Sequence, residues 1–220
     1  MTLTFETRDG PVEVAPGRCI VAGWTGRDAA KVQHHIDELA AIGVAPPSRT
    51  PLPYEVAPSL LTQDERIDCV GAETSGEAEP AIVFAGGRRY LTLASDHTDR
   101  ALETHSVALS KQICAKPIAR EAWPLDPLIE RAEALRLASW IEEDGAWVPY
   151  QEGTLAAMLP LADIVAASGL DGSSDAVLLC GTLPAIGGVR AAPAMRMRLE
   201  DPDGGAIELA YRTRVLSEIA

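Results

Sequence analysis

The chain is short of positive charge. It carries 19 Lys and Arg against 32 Asp and Glu, a formal net charge of −13. That balance argues against nucleic acid or an anionic membrane as the main partner, because both need a basic surface. No apolar run approaches the roughly 18 residues needed to span a bilayer. Residues 1–10 are polar and alternating, unlike a secretory signal, so the expected compartment is a bacterial-type cytoplasm. Cysteine is scarce: Cys19, Cys69, Cys114 and Cys180 are far apart, and no pair has the C-x-x-C spacing of a zinc site. Three of them lie in apolar, strand-like runs and read as small buried hydrophobes. Cys114 follows a lysine-bearing segment and is a candidate pocket-lining residue. The glycine-rich segment 181–188 lacks a Gly-Lys-Ser/Thr ending, which excludes a phosphate-binding loop of that type. No internal repeat, low-complexity tract or linker is present.

What is there is ordinary for a folded domain. The 220 residues are 47% hydrophobic and 23% charged, enough to bury a substantial core. The pattern is mostly strands with three or four helices. Asp9-Gly10, Gly86-Gly87, Asp144-Gly145 and Asp203-Gly204-Gly205 each separate two apolar, strand-like runs and predict hairpins. Thr25-Gly26-Arg27-Asp28 resembles a capping box with Thr25 as N-cap. Val32, Ile36, Leu39 and Ile42 follow at helical spacing, and Gly43 closes that helix. Further helices are expected to start at Asp126-Pro127 and to span residues 153–168, kinked at Pro160. The segment 46–58 is proline-rich and must be irregular or extended.

The most informative stretch runs from Thr74 to Phe84. Glu77 and Glu79 stand at i and i+2 and lead into β-favouring residues, so on a strand they share a face. Like charges so close repel unless a cation lies between them or one takes a proton. After the Gly86-Gly87 turn, the returning strand brings Ser95-Asp96-His97-Thr98-Asp99 back towards that pair. A Glu-x-Glu strand facing an Asp suggests a hard divalent cation with oxygen ligands. On its own, Glu-x-Glu is commonplace on a solvated strand face.

Glu77-Ala78-Glu79, then a strand, a Gly-containing turn and residues 95–100, resembles the fumarylacetoacetate hydrolase superfamily. Leu109-Ser110-Lys111-Gln112 falls where that superfamily carries a pocket lysine, and Cys180-Gly181-Thr182 where it carries a Gly-Thr motif. The whole chain, with Trp24 to Asp28 and Gly181 to Gly188, looks closer still to a bacterial uncharacterised-domain family related to that superfamily. The resemblance covers roughly residues 50 to 215. It implies an α+β, mainly β fold, a mixed β-sandwich or roll. The division expected is residues 1–49 as N-terminal strands and helix packed on a core of residues 50–220. It also implies that Glu77, Glu79 and Asp96 hold Mg2+ (or Mn2+ or Ca2+), that Lys111 contacts substrate charge, and that Thr182 with Gly181 binds a substrate carboxylate. A small-molecule oxo-acid substrate and a homodimer are expected on the same ground. Three departures stand out: the superfamily's Asn before the Asp is Ser95 here, the spacing from Asp96 to Lys111 is shorter than usual, and the upstream His-x-x-Glu is missing.

His97 is the best-placed general base, since an imidazole titrates near neutrality, although a histidine beside an aspartate is often structural. Asp99-Arg100 reads as a buried ion pair orienting the loop. Residues 150–153 could project Gln151 or Glu152 into the site. His34 and His35 on the first helix, and His105, read as non-catalytic. Together these features predict a divalent-metal-dependent enzyme acting on a small oxo acid, by acylpyruvate-type C–C hydrolysis, decarboxylation or related enolate chemistry. The alternatives are a non-catalytic metal- or oxo-acid-binding module of the same fold, and a structural β-domain with solvated acids.

Overall fold

Apolar residues without alternation mark the strands buried on both faces, and alternating ones mark the strands that meet water. Ala78–Ala85 and Ala176–Leu179 are buried at every position, whereas Arg66–Val70 alternates exposed and buried. The computed structural model describes residues 1–41 and 43–219, and leaves aside the side chains of residues 35, 38 and 39. Ile42, Leu39 and His35 of the predicted first helix therefore fall outside the described residues or side chains.

The main strands are β1 (Leu3–Thr7), β2 (Gly10–Val14), β3 (Arg18–Gly23), β4 (Leu52–Val56), β5 (Arg66–Val70), β6 (Ala78–Ala85), β7 (Arg88–Ser95), β8 (Arg136–Glu143), β9 (Ala146–Thr154), β10 (Ala176–Leu179), β11 (Ala194–Glu200) and β12 (Ala206–Leu216). The α-helices are α1 (Ala29–Ala41), α2 (Arg100–Glu103), α3 (Val107–Gln112) and α4 (Leu161–Ser168). A six-stranded mixed sheet runs in the order Trp123–Pro124, β7, β6, β10, β3, β4, and a five-stranded sheet in the order β9, β8, β11, β12, β5. The larger core lies between them, with Ile20, Ile82, Leu91 and Leu93 from one sheet meeting Leu137, Ile141, Met197 and Leu199 from the other. On the opposite face of the six-stranded sheet, Leu3, Phe5 and Val14 of the β1–β2 hairpin cover Val21, Val83 and Leu179. The architecture is the expected α+β, mainly β arrangement.

The predicted hairpins are present. At Asp144-Gly145 both residues have positive φ (49° and 78°), as a two-residue turn matched to strand twist requires. The helices differ from expectation. Thr25 does not cap α1; Asp28 does, accepting from the amides of Ala30 (3.1 Å) and Lys31 (3.2 Å). Asp126-Pro127 starts no α-helix: a 3-10 turn follows at Ile129–Ala134, and Asp126 pairs with Arg89. Residues 153–168 are not one kinked helix. β9 continues to Thr154, and α4 begins only after Pro160, whose missing N–H suits a helix start. Helices α2 and α3 were not anticipated. The division at residue 49 falls within the six-stranded sheet, between β3 and its antiparallel neighbour β4.

Candidate metal and oxo-acid site

The site forms where three strands of the six-stranded sheet end together. β10 stops at Leu179, and the chain turns away through Gly181, whose φ is +91°. A Cβ there would collide with Thr25 Oγ1, so only glycine allows this close approach. The turn aims the Gly181 N–H at Glu79 Oε2 (2.7 Å), and Thr182 Oγ1 donates to Ala78 O (2.7 Å). Across the β6–β7 hairpin, Ala78 pairs with Ser95, and the Asp96 N–H donates to Glu77 O (3.0 Å). Register alone therefore brings Asp96 against the Glu-x-Glu segment.

Glu77, Glu79 and Asp96 each offer a carboxylate oxygen, and these atoms lie within 4.8 Å of one another. Glu79 and Asp96 are buried, whereas Glu77 is partly exposed. Three cations face them. Lys111 on α3 binds Asp96 Oδ2, and Arg100 on α2 lies 3.2 Å from Glu77 Oε1 and bonds Glu103 Oε2 at 2.8 Å. The third is Lys116, which the sequence did not single out. Its ammonium donates to the carbonyls of His97 (2.6 Å), Lys111 (2.6 Å) and Cys114 (3.1 Å), and sits 3.2 Å from Asp96 Oδ1. That last approach is an ion pair with poor hydrogen-bond geometry, so Oδ1 keeps its lone pairs free.

The protonation preferences follow from this crowding. Burial, then the charges of Asp96 and Glu77, push the Glu79 carboxyl well above its usual range. Burial also pushes Asp96 up, but Lys111 and Lys116 outweigh it and hold that carboxyl below the usual range. Burial disfavours the Lys111 ammonium, yet Asp96 and Glu77 together keep its proton more firmly than usual. Three carboxyl groups at this spacing, one with an unbonded buried oxygen and one whose proton a bound cation would displace, fit a hard divalent cation.

The other predicted residues are placed as follows. His97 is buried on the far side of the Asp96 segment: its Nδ1 is 2.9 Å from Tyr211 Oη on β12, and its Nε2 has no hydrogen-bond partner. Ser95 Oγ meets the same phenol at 2.8 Å. Gln151 is saturated. Its Oε1 accepts from the Ala78 N–H (2.9 Å) and Ser139 Oγ (2.8 Å), while its Nε2 donates to Leu183 O (2.8 Å) and Thr182 Oγ1. Glu152, next along β9, points to solvent. The expected Asp99–Arg100 pair is replaced by two separate roles: Asp99 caps α2 through the Leu102 N–H (2.8 Å), and Arg100 reaches Glu77 and Glu103. All four cysteines are buried free thiols, and the Cys114 carbonyl serves as a ligand for the Lys116 ammonium. Beside Lys111 stands Tyr54, with the ammonium 5.8 Å from its ring centroid and Trp24 Nε1 donating to its hydroxyl at 3.2 Å. Trp24 holds a φ of +62°, a costly conformation for a bulky residue that marks this edge of the site as constrained.

Solved structures share this fold. Cg1458 matches with a TM-score of 0.64 at 15% identity, covering 98% of this chain and 99% of that one. The apo form of 2-keto-3-deoxy-D-arabinonate dehydratase matches with a TM-score of 0.63 at 14% identity, over 93% of this chain and 77% of that one. A candidate fumarylacetoacetate hydrolase family protein from Yersinia pestis CO92 matches with a TM-score of 0.63 at 16% identity, over 97% and 100%. At these identities the likeness is one of fold. No curated protein sequence matches the chain. Among the described residues, no helix is long and apolar enough to cross a membrane. The family model described as "Protein of unknown function (DUF2848)" matches residues 22–211. The chain therefore belongs to the DUF2848 family, and it shares its fold with a fumarylacetoacetate hydrolase family protein.

Proposed function

We propose that the protein is a divalent-cation-dependent enzyme acting on a small oxo acid, by acylpyruvate-type C–C hydrolysis, decarboxylation or related enolate chemistry. The observation that carries this reading is the convergence of Glu77, Glu79 and Asp96 within 4.8 Å, with Lys111 alongside. The fold shared with a 2-keto-3-deoxy-D-arabinonate dehydratase, named for an oxo-acid substrate, supports it. Held by the three carboxylates, Mg2+, Mn2+ or Ca2+ would supply Lewis-acid polarisation of a chelating 2-oxo acid.

The chain's own groups divide the remaining work. Lys111, whose ammonium pairs with Asp96 Oδ2, would present a positive charge to a substrate carboxylate. Thr182 is partly exposed, and its hydroxyl would reach that carboxylate only by turning its one proton away from Ala78 O. Gln151, with every donor and acceptor occupied behind it, fixes the Thr182 rotamer. The Gly181 N–H orients Glu79. Arg100 keeps Glu77 turned towards its two fellow carboxylates.

The experiment is a thermal melt of the cation-free protein with and without magnesium. A rise in melting temperature that Glu77→Ala abolishes supports the site, and an equal rise in both proteins refutes it. Turnover on acylpyruvates and oxaloacetate then separates enzyme from binder. The second reading, a binding module without turnover, is favoured by one observation: Tyr211 engages His97 Nδ1 on the side away from the carboxylates. Metal-dependent ligand binding with no turnover on that panel would select it.

A further inference from the structure

Lys111 and Lys116 both reach Asp96, but their ammonium groups are held differently. Lys116 is fixed by three carbonyls that take no part in the triad. The Lys111 ammonium bonds Asp96 Oδ2 and stands over the ring of Tyr54, 5.8 Å from the centroid. A lysine stem is long and loses much rotamer freedom when its end is fixed, so each contact that fixes it matters.

The sheet register accounts for the place of Tyr54. Ala81, Leu179, Val21 and Tyr54 are neighbours across four strands and share one face of the six-stranded sheet. Glu79 and Gly23 stand two residues further towards the end where the triad lies, on that same face. Gly23 leaves room that the Tyr54 ring fills: a Cβ there would lie 2.9 Å from Tyr54 Cε2. Next to it, Trp24 takes its φ of +62° and donates from Nε1 to Tyr54 Oη at 3.2 Å. On the α3 side, Gln112 Oε1 accepts from the Ala57 N–H at 2.9 Å, tying the helix to the end of β4. The ring is thus held by Gly23 and Trp24 while its face meets Lys111.

Lys111 and a cation held by the triad would share the Asp96 carboxylate. The attraction between an ammonium and an aromatic face does not draw on those oxygens. We propose that Tyr54 is a positioning residue, whose ring, anchored by Trp24, keeps the Lys111 ammonium at the site when a cation engages Asp96. A substrate carboxylate then meets a positive charge already in place, which lowers the ordering cost of binding. This assignment rests on the proposed function and adds to it the group that holds Lys111.

The first test is NMR of protein made with 13C-labelled lysine. The chain has three lysines, Lys31, Lys111 and Lys116, so there are just three ε-methylene signals, and Lys111→Met identifies one by its loss. Protons above an aromatic face resonate upfield. The Lys111 signal is therefore expected upfield of that of exposed Lys31, and to stay there when magnesium is added. A Lys111 signal at the Lys31 position, with or without magnesium, overturns the assignment.

The second test is calorimetry of pyruvate binding to magnesium-loaded protein. Tyr54→Leu is expected to weaken binding about tenfold, the scale of a desolvated cation–π contact. Tyr54→Phe keeps the ring and should lose much less. In a Lys111→Met background, Tyr54→Leu should cost nothing further. Unchanged binding in Tyr54→Leu, equal losses in the two Tyr54 variants, or an equal loss without Lys111 each overturns the role. If magnesium leaves the wild-type melting temperature unchanged, the proposed function fails and this role fails with it. A Lys111 signal away from the ring overturns this role alone and leaves the proposed function standing.

Discussion

Glu79 lies between Asp96 and Glu77 with 2% of its surface exposed, and burial leads the causes that raise its carboxyl. A group with a raised folded-state value favours the fold while it is protonated. That contribution is complete below the ordinary carboxyl range, about 4.3, and is lost as pH rises through the raised value. Without divalent cation, the wild type is therefore expected to lose stability relative to Glu79→Gln as pH rises from about 4 to 8, measured by urea unfolding across that range. Magnesium should reverse the loss in the wild type only. Lys116 provides a second residue-scale test. Its ammonium is fully buried, and Lys116→Met leaves Asp96 less compensated and three carbonyls without their donor. A loss of about 3–5 kcal/mol is expected in denaturant titrations, as for breaking a buried ion pair. The triad residues were legible in the sequence because strand alternation and a short hairpin fix which side chains meet. Lys116 was not, because no periodicity points to it. The signal available was scarcity: the chain has only three lysines, Lys31, Lys111 and Lys116, and two of them converge on one aspartate.

Among the elements, the hairpins matched expectation and the helices mostly did not. Turn pairs such as Asp144-Gly145 impose backbone angles locally, so their residues announce them. The short helices α2 and α3 are set by the capping side chains of Asp99 and Ser106 and by the ion pairs of Arg100 and Lys111, which depend on distant strands. The start of α1 shows the same limit. Thr25 fits a capping box by spacing, yet it is buried against Gly181, leaving Asp28 as the cap. Asp28→Ala is accordingly expected to cost about 1 kcal/mol in chemical denaturation, the usual worth of an N-cap. Gly181→Ala carries both a positive-φ penalty and the collision with Thr25, so it should lower the melting temperature and weaken magnesium stabilisation together, because the same turn orients Glu79. If only one of the two measurements changes, the link between turn and site is wrong.

At the scale of the whole molecule, the six-stranded sheet joins residues from both ends of the chain. β3 lies between β4 and β10, pairing Arg18 in parallel with Ala176. A fragment of residues 50–220 would expose one edge of β10 and strip the hairpin cover from Val83 and Leu179. We expect that fragment to lack cooperative unfolding by circular dichroism, whereas a self-sufficient core would melt sharply. The parallel pairing also bears on how the protein is made. β3, with buried positions at Cys19, Ile20, Val21 and Ala22, leaves the ribosome well before its neighbour β10. Until then a sticky, half-dressed edge must wait in the cell, and long-range parallel pairing closes slowly. A chain that stalls before residue 176 therefore leaves a product that cannot complete its six-stranded sheet.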